Sequence, residues 1–169
     1  MASTVTPIEP PPLARLPGEG GSGDAPAGAA AGGRLLLFGV RERVYGCGIG
    51  AVREIVPMRR ASRLPGAPPY VAGLINLRGT VITVLDLGVR LVGEAVDANA
   101  GSIVIVEHGA KVVGLCVDDV RDVQALDGAQ LDPVATGDAG AGLVLGVGRA
   151  GGNVVIVLDV QALVGQVLL

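Results

Sequence analysis

Two short apolar runs that meet at an arginine and a glycine constrain this chain most. Residues 70–77 and 80–85 are rich in Val, Leu and Ile, and only Arg78 and Gly79 separate them. Runs of this length, joined by two residues of which one is glycine, predict two strands with a tight turn. The Arg78 side chain then stands at the tip of a hairpin and faces water or a partner. Asp86 follows the second run and is expected to cap a short helix.

The composition favours strands over helices. Half of the 169 residues are hydrophobic and only 2% are aromatic, so the core must consist of Val, Leu, Ile and Ala, and the β-branched residues prefer strands. The mean hydropathy is high, at +0.57. Gly, Asp, Arg or Asn nevertheless interrupts each apolar run well before the roughly 18–20 residues that span a bilayer. We expect a soluble all-β protein with no direct membrane insertion.

The charge argues against a nucleic-acid-binding protein. The net charge is -3 and the isoelectric point is about 5.1, whereas such proteins usually combine a basic surface with stacking aromatic residues. A local group of arginines is interpreted as a solvated loop face, with a partner-facing patch as the alternative. The first residues show neither the basic start nor the apolar segment of a secretory signal, so the cytoplasm is the expected compartment. The arginine group comprises Arg53, Arg59, Arg60 and Arg63.

The chain divides into an arm and a folded domain. Residues 1–33 are dominated by Pro, Gly and Ala, and their sparse apolar residues form no pattern that could bury a core. We expect a disordered arm over this stretch and a folded domain over residues 34–169.

Turn residues separate the apolar runs of the domain into about ten short strands. Hairpins are expected around residues 41–43, around His108 and Gly109, and around residues 149–152. Short helices are expected over residues 87–92, closed by Gly93, and from Asp159 to Leu163. So many short strands fit one or two small barrels, because closing a sheet removes its exposed edges.

The domain contains two halves that look alike. Each half ends on a strand, a Leu-Asp pair and a short helix, with Asp86 in the first half and Asp159 in the second. Residues 94–101 between them are interpreted as an exposed linker. The repeated pattern predicts two related barrels, one from each half, that share one core.

Isolated polar residues do not combine into a catalytic or metal site. Cys47 and Cys116 each lie in an apolar strand-like run and are interpreted as buried free thiols, not as a zinc site or a redox pair. Asp118 and Asp119 are neighbours on a strand, so their side chains should point to opposite faces. His108 is the single histidine and has no evident nucleophile partner.

The glycines of residues 146–151 match the pattern G-x-G-x-x-G of dinucleotide-binding proteins. Such a site needs a helix directly after the glycines, whereas residues 153–158 are β-type, so a hairpin turn is the better interpretation. Residues 46–50 fail the same test. The sequence therefore favours a binding module without a cofactor over an enzyme. A small-ligand-binding β-barrel and a dinucleotide-dependent enzyme stay open as alternatives.

A series of motifs occurs in one order along the domain. They are Tyr45-Gly46-Cys47-Gly48-Ile49, Val52-Arg53-Glu54-Ile55-Val56, residues 65–79 ending in Asn76-Leu77-Arg78-Gly79, Val84-Leu85-Asp86-Leu87, residues 113–118 and Val157-Leu158-Asp159. In this order they resemble the CheW-like coupling-domain family of bacterial chemotaxis. The resemblance covers residues 35–163. Thr83 and Gly88 depart from the family, which commonly has Pro and Arg at these positions.

The resemblance implies a fold and a function. The fold is two intertwined five-stranded SH3-like β-barrels. The function is that of a non-enzymatic adaptor, which couples chemoreceptors to the CheA histidine kinase in chemotaxis or a related chemosensory pathway. The resemblance implies two partners, the CheW-like regulatory domain of the kinase and the cytoplasmic tip of the receptors. The receptor tip is a helical hairpin that would dock between the two barrels. The implied location is the cytoplasm, at membrane-associated receptor arrays. The implied receptor-facing or groove-shaping residues are Val52, Glu54, Gly73, Arg78, Gly114 and Val123.

Overall fold

The computed structural model describes residues 33–127, 131–132 and 142–167. Within these residues the chain forms ten strands and three short helical segments. The strands are β1 (Arg34–Val40), β2 (Arg43–Gly48), β3 (Val52–Pro57), β4 (Val71–Leu77), β5 (Thr80–Asp86), β6 (Ser102–His108), β7 (Lys111–Val117), β8 (Asp119–Ala125), β9 (Val144–Ala150) and β10 (Asn153–Leu158). The helical segments are a 3-10 turn (Ile49–Ala51), a π-helix (Gly88–Val92) and the α-helix α1 (Val160–Val167).

The strands form two five-stranded sheets, in the orders β8-β1-β2-β10-β9 and β3-β6-β7-β5-β4. Backbone hydrogen bonds also connect the edges of each sheet. The Asp127 N–H donates to the Arg149 carbonyl at 2.7 Å in the first sheet, and Ser62 and Leu74 exchange bonds of 2.8 and 2.9 Å in the second. We call the first closed sheet barrel 1 and the second barrel 2. The predicted all-β class with two five-stranded barrels is confirmed.

The division of the chain between the barrels differs from the sequence-based prediction. The two halves on either side of residues 94–101 do not form one barrel each, because barrel 2 takes β3 to β7 whereas barrel 1 takes β1, β2 and β8 to β10. The barrels are therefore intertwined. The repeated strand-Leu-Asp-helix pattern is real, since β5 pairs in parallel with β7, β10 pairs in parallel with β2, and each is followed by a helix. Such long-range pairing leaves no local signal in a sequence.

Residues 94–101 were also expected to be an exposed linker, and this is wrong for Val96. The side chain of Val96 is buried, and its backbone N–H lies 3.3 Å from both carboxylate oxygens of Asp86. Asp86 also accepts a 3.1 Å hydrogen bond from the Val89 N–H at the start of the π-helix, as expected for a cap. The segment is thus a loop of barrel 2. The Asp86 carboxylate holds it in place and also caps the π-helix.

The barrels share one apolar core. Phe38 of β1 is fully buried and belongs to the same cluster as Ile103 and Ile105 of β6 and Leu163 of α1. A smaller cluster that includes Leu35 lies within barrel 1. The larger cluster therefore contains side chains from both barrels.

The predicted hairpins and the C-terminal helix are confirmed. Arg41 and Glu42 connect β1 to β2, and His108 pairs with Lys111 at the end of β6 and β7. The glycines of the G-x-G-x-x-G pattern lie in β9 and its turn, and strand β10 follows them instead of a helix. Asp159 caps α1 through a 3.1 Å bond from the Ala162 N–H. Most of the predicted arm and part of the predicted loop over residues 127–140 lie outside the described residues.

Candidate partner-binding surface

Glu54 and Arg78 form a two-pronged ion pair on the surface of barrel 2. Arg78 Nη1 donates to Glu54 Oε2, and Nη2 donates to Oε1, both at 2.7 Å. Glu54 lies on β3, and Arg78 lies in the turn between β4 and β5. The Arg78 side chain is 68% exposed and that of Glu54 is 26% exposed. Parallel paired bonds of this length are the strongest geometry that an arginine and a carboxylate can adopt.

The local sequence places the Arg78 side chain at this position. Leu77 pairs with Thr80, which leaves Arg78 and Gly79 as a two-residue turn with φ angles of 53° and 87°. Both values are left-handed, as in the hairpin turns that match the twist of the strands. The Asn76 side chain accepts a 2.9 Å hydrogen bond from the Gly79 N–H and stabilises the turn. The side chain of Arg78 reaches Glu54 from this turn.

Both members of the pair are held in their charged forms. The hydrogen bonds from Arg78 are the main cause that lowers the pKa of the Glu54 carboxyl. Partial burial raises this pKa, but by less than the hydrogen bonds lower it. The nearby charges of Arg53 and Arg59 also lower it. Glu54 in turn raises the pKa of Arg78. At neutral pH the surface therefore presents a paired arginine and carboxylate whose mutual orientation is set before any partner arrives.

The ion pair lies along the seam where barrel 2 closes. In the sheet order, β3 and β4 are the two edges. Ser62, in the segment that follows β3, forms a bridge with Leu74 of β4. Gly73 makes this bridge possible, because a Cβ at this position would lie 2.2 Å from the Ser62 carbonyl oxygen, and its φ is 143°. Val52, partly buried, begins β3 at a bulge in its pairing with β6. Four of the predicted site residues thus lie on β3, on β4 or in the turn between β4 and β5.

The other two predicted residues lie elsewhere. Gly114 is buried in the middle of β7, where a Cβ would lie 2.9 Å from Ile103 Cγ2 and 3.3 Å from Val84 Cγ2. Its position allows close packing inside barrel 2. Val123 lies on β8 of barrel 1, opposite Leu36, and is partly buried against the shared core. The structure therefore does not bring Gly114 or Val123 to the seam.

Sequence reasoning missed Asn76 and Ser62. Asn76 interrupts an apolar run three residues before the glycine of a turn, which is a recognisable signal for a side chain that caps the turn. Ser62 carries no such signal, because its pairing with Leu74 depends on how the loop before β4 folds back. Three members of the arginine group, Arg59, Arg60 and Arg63, lie in the same segment as Ser62. They are exposed, as expected of a solvated loop face.

The cysteines match the prediction of buried free thiols. Both are buried and unpaired, and burial raises the pKa of Cys47 and of Cys116 to about 12. Such thiols stay protonated at neutral pH and make poor nucleophiles or metal ligands. Among the described residues, no group of three or more His, Cys, Asp or Glu side chains is placed to hold a metal ion. Asp118 and Asp119 bind different partners, Arg41 and Arg121.

A cleft on barrel 1 has a volume of about 280 Å³ and is lined partly by Asp127, Asp132 and Arg149. Ligand pockets are usually concave and mostly apolar with a few convergent polar groups, whereas this cleft is open and its charges flank a glycine-rich strand. It gives little support to the small-ligand alternative. No helix in the described ranges is long and apolar enough to cross a bilayer.

Known proteins are similar to this chain in sequence and in fold. The family model of the CheW-like domain matches residues 34–167. The chemotaxis protein CheW of Klebsiella aerogenes is 30% identical over 143 residues, which cover 83% of this chain and 86% of that protein. CheW of Treponema pallidum is 32% identical over 137 residues, covering 77% of this chain and 81% of that protein.

A solved structure agrees with these relatives. The crystal structure of the scaffolding protein TtCheW from Thermoanaerobacter tengcongensis is similar with a TM-score of 0.68 at 28% identity, and the match covers 76% of this chain and 89% of that one. The match of the family model covers most of the chain, and the two intertwined barrels agree with it. The chain therefore belongs to the CheW-like family of chemotaxis scaffolding proteins.

Proposed function

We propose that this protein is a chemotaxis adaptor that couples chemoreceptors to the CheA histidine kinase. The observation that carries the proposal is the family match over residues 34–167, which spans both barrels and the shared core. The similar proteins named above are chemotaxis proteins and a scaffolding protein. A related chemosensory pathway would use the same adaptor architecture, but its receptors and kinase would control a response other than chemotaxis.

The proposed activity is binding without catalysis. The charged side chains of the candidate surface are tied to each other, as in the Glu54–Arg78 pair, and do not surround a pocket. The raised pKa of the buried cysteines removes them as nucleophiles at neutral pH. An adaptor needs rigid surfaces with a defined charge pattern, and a hairpin turn fixed by Asn76 and by an ion pair supplies one.

We assign the receptor side to the seam of barrel 2. Glu54 and Arg78 are available for contact there, Val52 adds a partly buried apolar side chain, and Gly73 allows the backbone approach that shapes the surface. Arg78 can orient a helical hairpin and set its register. We propose only an indirect role for Gly114 and Val123. Gly114 allows close packing inside barrel 2, and Val123 packs against the shared core from β8.

The proposed partners are the cytoplasmic tip of the receptors and the regulatory domain of the kinase. A receptor can change kinase activity through an adaptor only if their contacts differ in strength between the two states of the kinase. The rigid shared core fits this role, since a displacement at one barrel is passed to the other through close packing. The proposed location is the cytoplasm, at membrane-associated receptor arrays.

Reconstitution tests the coupling directly. The kinase, a receptor signalling fragment assembled on vesicles and this protein are combined, and kinase autophosphorylation is measured with and without the adaptor. We expect the receptor to change the kinase rate only when this protein is present. A receptor effect that is equal with and without it would contradict the proposal.

A further inference from the structure

A small cluster of charges connects the two barrels at one edge. Arg41 lies in the β1–β2 turn of barrel 1, and Asp118 is the single residue between β7 of barrel 2 and β8 of barrel 1. The Arg41 N–H donates to Asp118 Oδ2 at 2.5 Å, and Arg41 Nη1 lies 3.6 Å from Asp118 Oδ1. Glu94 of barrel 2 approaches from the other side, with 3.5 Å between its Oε1 and Arg41 Nε. Arg41 thus contacts the carboxylate of Asp118, which lies where the chain passes from barrel 2 to barrel 1, and the carboxylate of Glu94 in barrel 2.

The turn that carries Arg41 has an unusual backbone. The φ angle is 54° at Arg41 and 113° at Glu42, a left-handed conformation that residues with a side chain rarely adopt. Such a conformation persists only where surrounding contacts hold it. Asp118 supplies them, because its carboxylate binds the Arg41 N–H and its own N–H donates to the Gly39 carbonyl at 2.9 Å.

These charged contacts add directional bonds to an interface whose buried core is mainly apolar. The shared core contains aliphatic side chains and Phe38, and hydrophobic attraction has no preferred direction. Hydrogen bonds and ion pairs at one edge restrict rotation about that core. The Asp118 side chain is 27% exposed and that of Glu94 is 65% exposed, so Asp118 is better shielded from water and should contribute more.

We propose that Arg41 and Asp118 form an inter-barrel clasp that sets the mutual orientation of the two barrels. Asp118 is the positioning residue, and Glu94 is an outer member of the clasp. Resting on the proposed function, the clasp also fixes the position of barrel 1 relative to the receptor-binding seam of barrel 2. Breaking it leaves both barrels folded but lets them rotate, which weakens receptor binding.

The chain offers a matched control beside the clasp. Asp119, the next residue, pairs with Arg121 at 3.1 Å, and both lie on β8 within barrel 1. Asp119→Ala therefore removes an ion pair of the same chemistry that connects no barrels. Arg41→Gly is the second clasp variant. It removes both ion pairs of the Arg41 side chain but keeps the backbone N–H bond to Asp118, and glycine adopts the φ of this turn without strain.

The orientation is measured by distances between spin labels in the full chain. One label is placed at Lys111→Cys in barrel 2 and the other at Asn153→Cys in barrel 1, both exposed positions. The native thiols are buried and stay unlabelled. We expect Arg41→Gly and Asp118→Ala to broaden or shift the distance distribution, and Asp119→Ala to leave it unchanged. An unchanged distribution in both clasp variants would overturn the proposal.

Titration with a receptor signalling fragment tests the consequence for binding. We expect Arg41→Gly to weaken binding by about tenfold, on the order of 1.4 kcal/mol, with a melting temperature close to that of Asp119→Ala. Full affinity in Arg41→Gly would refute the link between the clasp and receptor binding. If the unmodified protein does not bind the fragment at all, the proposed function fails, and the spin-label distances still decide on the clasp.

Discussion

Glu54 and Arg78 are 24 residues apart in sequence and form two hydrogen bonds of 2.7 Å across the seam of barrel 2. Each charge is therefore already neutralised by the other when a partner approaches. A partner that binds here must either accept the pair as a preformed unit or exchange one of its bonds. This arrangement favours specificity, because an ill-matched partner would leave one of the two charges without its counterpart.

The first prediction concerns the paired arginine. Arg78→Ala should weaken receptor binding by roughly tenfold or more, because Glu54 is left unpaired at the contact surface. The melting temperature should change little, since the Arg78 side chain is largely exposed. The comparison is Arg121→Ala, which removes an exposed arginine from a pair on barrel 1. Equal receptor affinity in the two variants would argue against a receptor surface at the seam.

The second prediction concerns the glycine beneath the seam. Gly73→Ala should destabilise the fold by roughly 2–4 kcal/mol, because its methyl group would lie 2.2 Å from a backbone oxygen at a φ of 143°. Gly50→Ala is the matched substitution, since a Cβ there meets nothing within 4 Å, and it should change stability by less than about 0.5 kcal/mol. Urea unfolding measures both. Similar midpoints for the two variants would show that Ser62 does not pack on Gly73.

The third prediction concerns the shared core. Phe38→Ala should cost about 3–5 kcal/mol, because this side chain is fully buried in the cluster that joins the barrels. Amide exchange of β10 in barrel 1 and of β6 in barrel 2 should accelerate together. Val81→Ala, at a side chain that is 62% exposed, serves as the control. Faster exchange in barrel 1 alone would mean that the barrels are separate cooperative units.

The fourth prediction concerns the thiols. Their pKa is about 12 in the folded protein against 9.0 as the ordinary value, so folding favours the protonated form. The stability due to these groups is complete below pH 9 and is lost as the pH rises from about 9 towards 12. At pH 8 a thiol reagent should modify neither cysteine until denaturant is added, and then both. Rapid modification of the native protein would contradict their burial.

The sequence predicted the local structure better than the long-range pairing. The Arg78-Gly79 turn, the caps at Asp86 and Asp159 and the hairpin at His108 are local, so turn chemistry and apolar patterns were sufficient. The assignment of strands to barrels was wrong because the parallel pairings of β5 with β7 and of β10 with β2 bring distant segments together. Periodicity records which face of a strand is buried but not which strand lies beside it.

The same limit applies to the candidate site. The resemblance named Glu54 and Arg78 separately, and only the structure shows that they bind each other. It also grouped Gly114 with them, although Gly114 is buried in β7 between β5 and β6. Asp118 was interpreted only as a strand residue. Its contact with Arg41, 77 residues away, has no signal in the sequence.

The central claim is that this protein binds a chemotaxis kinase, and calorimetric titration with the regulatory domain of such a kinase tests it most directly. The unmodified protein and Arg78→Ala are titrated in parallel. We expect micromolar or tighter binding, about -8 kcal/mol, that is the same for both proteins, because Arg78 serves the receptor. Loss of binding in Arg78→Ala alone would move that residue to the kinase surface. An absence of heat at several temperatures, with kinase domains from the same genome, would contradict the adaptor function.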